Sequence, residues 1–136
     1  MSPVEDLDQA LAQMEPQIEG RYVFITTDSV PPGLEPFAVI RESEGLTLIV
    51  RAEDAASFGL STDRLFARIT SGTHTSLFSV GITSTITSTI ASRGIPCNVI
   101  AGYHRDHFFV PAEKGEETVA ILQSLAKQAA GWMPQS

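Results

Sequence analysis

The run SVGITSTITSTIASRG, residues 79–94, decides what the second half of this chain can fold into. Ile82, Ile86 and Ile90 recur every four residues. That spacing suits one side of a helix and also one face of a strand. Isoleucine and threonine favour strands locally, because branching at Cβ restricts χ1. Length argues the other way, since the run is longer than most strands. Gly94 then supplies a helix stop. The run is read as a helix, and propensity alone does not settle it.

The segments around it are easier to read. Val4, Leu7, Leu11 and Met14 recur at spacings of three and four, so residues 4–14 form a helix, closed by Pro16 and Gly20. Glu5, Asp6 and Asp8 sit in its first turns, where the helix dipole favours negative charge. RYVFITT, 21–27, is β-branched and aromatic and reads as a strand, and the proline-rich DSVPPGLEP after it reads as a loop. FAVIRESEGLTLIV, 37–50, is a hairpin turning at ESEG. A short helix follows and ends near Gly59, then an alternating strand spans 63–72. CNVIAG and HFFVP are two short strands joined by the connector YHRD. A last helix starts near Glu113, with Val119, Leu122, Leu125, Ala126 and Ala129 as its apolar stripe, and the tail GWMPQS is expected to fray. The fold class is α+β, in two related units that divide near residues 60–63. The expected domains are 1–62, a truncated unit, and 63–136, a full one.

The 136 residues suit one domain or two small subdomains that share a core. With 43% hydrophobic residues there is enough apolar material to offset chain entropy, so disorder is not expected. The net charge of -7, with lysines and arginines scattered, argues against a general nucleic-acid binder and against an anionic membrane surface. One cysteine, Cys97, allows no intrachain disulfide. The N-terminal residues do not read as a signal peptide, and no apolar run is long enough to span a bilayer. A cytoplasmic location is the expectation.

The stretch 74–111, above all SVGITS and GIPCNVIAGYHRDHFFVP, resembles a bacterial family of small tandem ACT-domain proteins of uncharacterised function. RYVFITT and RESEGLTL resemble that family's first half, so the resemblance covers roughly residues 5–125. It implies two ACT-like subdomains of ferredoxin-like topology, with antiparallel sheets and helices on one face. It also implies a regulatory protein that binds a small molecule, an amino acid above all, without catalysis. The chain departs from the common arrangement in carrying no enzyme or DNA-binding domain to regulate, so any effect acts through a separate protein partner.

Two segments are the candidate ligand contacts. The first is the strand-to-helix loop with Ser76, Ser79, Val80 and Gly81. Free amides at a helix start attract a carboxylate, a glycine permits close approach, and a serine caps the helix or bonds a ligand. The second is Asn98, Val99 and Ile100, which the resembling fold sets across from that loop. Asn98 offers both a donor and an acceptor. The bland alternative for each is local capping and backbone satisfaction.

His104, Asp106 and His107, with His74, are metal-ligating types and would serve a metal-dependent enzyme. Their spacing at a hairpin tip, however, sends neighbouring side chains to opposite faces, and no HExxH or paired CxxC is present. The turn is read as polar structure with a strand-face histidine. Cys97 beside Val99 reads as a small core residue rather than a nucleophile. No cofactor or metal is expected. Each unit lacks a closing strand, so a homodimer is expected to cover the sheet edges. A module that binds only another protein, with no ligand, is the remaining alternative.

Overall fold

A computed structural model of the chain describes residues 3–72 and 81–132. Helix α1 (Pro3–Ala12) leads into strand β1 (Gln17–Thr27). The hairpin β2 (Ala38–Glu42) and β3 (Gly45–Arg51) is followed by the short helix α2 (Ala52–Ser57) and strand β4 (Phe66–Thr70). Helix α3 (Ile82–Ala91), the hairpin β5 (Asn98–Ala101) and β6 (Asp106–Pro111), and helix α4 (Gly115–Trp132) complete the chain. Contacts group the residues into two compact units, 1–19 with 67–136, and 20–66.

In the 20–66 unit the strand order is β2-β3-β1, all antiparallel, with Val39 opposite Leu48 and Val23 opposite Val50. Val23, Leu48 and Val50 point to one face and pack with Leu34 and with Ala55 of α2. On β3 Leu48, Ile49 and Val50 are all fully buried, so this central strand is covered on both faces there. The turn falls between Glu42 and Gly45, as the ESEG pattern predicts.

In the other unit β5, β6 and β4 are successive neighbours, and the first residues of β1 follow. Ala67 and Ile69 of β4, and Phe108 and Val110 of β6, face a core completed by Leu11, Met14, Ile82, Ile86, Ile90, Leu122 and Leu125. Helices α1, α3 and α4 therefore lie on one face of these strands. Arg68 and His107 alternate to the other face.

The ambiguous run is a helix. Ile82, Ile86 and Ile90 are all buried, at 5%, 2% and 0% exposure. The hydroxyls resolve the propensity conflict in part: Thr87 Oγ1 donates to the Thr83 carbonyl at 3.0 Å and Thr89 Oγ1 to the Thr85 carbonyl at 2.7 Å. Such back-bonding lets threonine sit in a helix with its hydroxyl satisfied. Helix α4 differs from expectation at both ends. A 3-10 turn, Ala112–Lys114, precedes it, and it runs on through Gly131 and Trp132, which the sequence reading assigned to a frayed tail. Ile121, at 7% exposure, joins the buried stripe, while Val119 and Ala126 flank it half-buried. Strand β1 begins at Gln17, four residues before the expected start.

Candidate functional site

The hairpin Gly102–Arg105 organises the polar end of the 67–136 unit. It closes through a 2.9 Å bond from the Gly102 N–H to the Arg105 carbonyl. A Cβ on Gly102 would lie 2.7 Å from that same carbonyl and 3.0 Å from His107 Nε2, so the turn has room only for glycine. Tyr103, 79% exposed, meets His104 edge-on with ring centroids 5.2 Å apart.

Beyond the turn the β6 pleat separates two polar residues that are adjacent in sequence. Asp106 is buried on the helix side, where Thr83 Oγ1 in the first turn of α3 donates to its Oδ2. His107 is on the opposite face, where its Nδ1 accepts a 3.2 Å bond from Arg68 Nε on β4. Asp106 and His107 thus cannot share one coordination sphere. Among the described residues no group of three or more His, Cys, Asp or Glu is placed to hold a metal ion. His74 lies outside the described residues.

On the His107 face, Glu19, Arg68, Thr70, Gly102, Tyr103, His104, Arg105 and His107 line an open cleft of about 340 Å³. Its polar groups are tied down. Thr70 Oγ1 donates to Glu19 Oε1 at 3.2 Å, and Arg105 Nη1 donates to the Ser71 carbonyl at 3.3 Å. The His107 pKa is pushed below the ordinary imidazole value, first by burial and then by the guanidiniums of Arg68 and Arg105, against the opposing pull of Asp106 and Glu19. An imidazole that accepts at Nδ1 carries its proton at Nε2, so the neutral ring and this hydrogen bond agree.

Of the candidate contacts, Ser76, Ser79 and Val80 lie outside the described residues. Gly81 stands at the N-cap of α3 with φ +92°, a left-handed conformation that L side chains rarely adopt. Val99 packs on the core side of β5, opposite Phe108. Asn98 and Ile100 pair with Phe109 and His107, on the other face of the strand. Ile100 thereby sits on the His107 face, whereas Gly81 and Val99 belong to the helix side. Cys97 packs against the core, and burial raises its thiol pKa to about 11, which keeps it protonated at neutral pH.

Sequence reasoning missed Arg68, Glu19, Thr70 and Arg105. One signal was present: with Ala67 and Ile69 assigned inward, alternation sends Arg68 and Thr70 outward together. Which strands would bring Glu19 and His107 alongside them is a matter of strand order, and local pattern does not carry it.

The fold and its helix-backed strands define an ACT-type regulatory module. An ACT-domain family model matches residues 2–67 and a second ACT-domain model matches residues 62–124. The chain belongs to the ACT-domain family, as a tandem protein of α+β, ferredoxin-like design. A protein of unknown function from Vibrio cholerae, described as a possible transport protein, is 40% identical. It superposes with a TM-score of 0.79 over 92% of this chain and 99% of that one. A protein from Agrobacterium tumefaciens is 16% identical with a TM-score of 0.65, covering 84% of this chain and 90% of that one. The regulatory subunit of aspartate kinase from Thermus thermophilus is 13% identical with a TM-score of 0.52, covering 82% and 95%. At these last two identities the likeness is one of fold. No curated protein matches the chain significantly. ACT domains are regulatory modules that bind small molecules, and that general role is the one the family assigns here. Among the described residues no helix is long and apolar enough to cross a membrane.

Proposed function

We propose that this chain is a regulatory protein that binds an amino acid and acts without catalysis, through a separate protein partner. The observation that carries the reading is the pair of ACT-domain matches, which together run from residue 2 to residue 124. The start of α3 supports it. A left-handed Gly81 keeps side-chain bulk away from the first amides of the helix, where a carboxylate is favoured. Ser76, Ser79 and Val80 are the proposed neighbours of that carboxylate. Asn98, Val99 and Ile100 are the proposed contacts on β5, which ends the strand order of its unit and so offers an edge beside the face that carries Asn98 and Ile100.

The experiment is a thermal-shift panel of the common amino acids. A ligand at a hundred times its Kd stabilises by about 2.7 kcal/mol, which is readily seen. One amino acid that raises Tm supports the reading, and a flat panel overturns it. A homodimer is part of the same proposal. Strands β2 and β5 stand at the ends of the strand order, and Val39 and Ile40 on β2 are 43% and 39% exposed. Bare edges of this kind pair readily with another chain. Light scattering that gives the mass of two chains supports the dimer, and a clean monomer removes it.

A further inference from the structure

We propose that the face of β4 and β6 turned away from the helices is a second ligand site, which binds a small oxyanion, a carboxylate or a phosphate ester, through Arg68 and Arg105. Two guanidiniums converge on one cleft from different elements, Arg68 from β4 and Arg105 from the hairpin. Each is oriented by a bond to a fixed acceptor, His107 Nδ1 for Arg68 and the Ser71 carbonyl for Arg105. Orientation before binding reduces the side-chain entropy lost when a ligand arrives. Among the described residues lining the cleft Glu19 is the one carboxylate, and Asp106, on the far side of β6, is a second that acts on His107.

Guanidinium groups match carboxylate and phosphate oxygens in geometry and form charge-assisted bonds with them. Gly102 keeps the floor clear, since a side chain there would run into His107 and the Arg105 carbonyl. The volume of about 340 Å³ lies at the low end of ligand pockets, which span roughly 300–1,000 Å³, so the ligand is a small metabolite. His107 supplies a further signature. Its ring is faced by Arg68 from β4, Arg105 and Asp106 from the hairpin and β6, and Glu19 from β1. Protonating that ring removes the Nδ1 lone pair that holds Arg68, so the arrangement needs neutral His107 and binding should weaken as pH falls through its pKa.

The test uses the full chain, isotope-labelled for amide NMR, titrated with succinate and separately with inorganic phosphate at constant ionic strength. The expected result is saturable shifts confined to Arg68–Thr70 and Gly102–His107. Affinity should weaken about tenfold or more in Arg105→Gln, and be unchanged in Arg93→Gln, an exposed arginine beyond α3. Arg68→Lys, which keeps the charge and loses the fork, should also weaken binding. Once the titration of the probe itself is accounted for, His107→Gln should remove the remaining pH dependence. Succinate alone binding assigns a carboxylate, and phosphate alone assigns a phosphate ester. Absence of a saturable shift from both probes, or equal weakening by Arg93→Gln, overturns the site. The wild-type shift map decides independently of how stable the variants prove. Neither probe carries an amine, so the outcome is separate from that of the amino-acid panel.

Discussion

Thr83→Val tests how the start of α3 is fastened to β6. The Thr83 hydroxyl donates to Asp106 Oδ2, and Asp106 is only 9% exposed. Valine keeps the shape of threonine and removes the donor. A hydrogen bond to a charged group contributes about 1.5–3 kcal/mol, and a buried acceptor left unmatched costs a similar amount. The single variant should therefore lose about 2 kcal/mol in urea unfolding followed by far-UV circular dichroism, with an unchanged m-value. For a chain of this length that is a drop in Tm of roughly 5–12 °C. Replacing both partners by apolar groups removes the unmatched carboxylate, so Thr83→Val with Asp106→Leu should lose less than the sum of the two single changes, by about 1 kcal/mol or more. A loss below about 0.5 kcal/mol for Thr83→Val, or strict additivity in the cycle, would refute the fastening and leave α3 held by its isoleucines alone.

Gly81→Ala should cost about 1 kcal/mol. The left-handed backbone penalises any Cβ by about 1–2 kcal/mol, the unfolded chain returns part of that, and the nearest side chain, Leu7 at 3.5 Å, is in ordinary contact. A bulky residue there weakens folding as well as any ligand contact, so binding must be compared at equal folded fraction. His107 has a folded pKa below its unfolded value, so the unfolded chain binds more protons as the medium acidifies. Its contribution is present above the unfolded pKa near 6.5 and is lost as pH falls through the folded one. His107→Gln should flatten the fall in stability between neutral and mildly acidic pH, and a parallel curve would refute this. Cys97, raised from 9.0 to about 11, should alkylate about a hundredfold more slowly at pH 8 than an ordinary thiol, and speed up on unfolding. Equal rates in the folded and urea-unfolded chain would contradict its burial.

Much of the fold was legible because periodicity reports which face of an element is buried. The length of the isoleucine run and Gly94 gave α3 where the four-residue spacing alone did not, ESEG gave the β2–β3 turn, and YHRD gave the β5–β6 turn to within a residue, Asp106 already belonging to β6. The misreadings share a cause. Ile121 and the last turn of α4 are set by what packs beside them, and local pattern does not contain it. Gln17–Gly20 look polar and carry a glycine, yet the strand continues through them because Glu19 is held by Thr70. The same limit governed the site. Alternation announces that Arg68 points away from Ala67 and Ile69, and it announces that His107 points away from Phe108. It does not announce that β4 and β6 are neighbours, and only that adjacency turns two outward residues into a hydrogen-bonded pair.

The HRDH turn shows how one short stretch serves two faces at once. A pleated strand must send Asp106 and His107 in opposite directions. The carboxylate goes to the helix side and takes a donor from α3, the helix whose start is the proposed amino-acid contact. The imidazole goes to the other side and takes a donor from Arg68 in the proposed oxyanion cleft. A metal centre would need these side chains to converge, and the pleat makes them diverge. Divergence instead gives the two faces one shared strand, with contacts one residue apart. A ligand that shifts the hairpin on the His107 side would act on α3 through the Thr83 bond to Asp106. If both sites bind, the coupling between them should shrink in Thr83→Val, and by linkage it should shrink equally whichever ligand is added first.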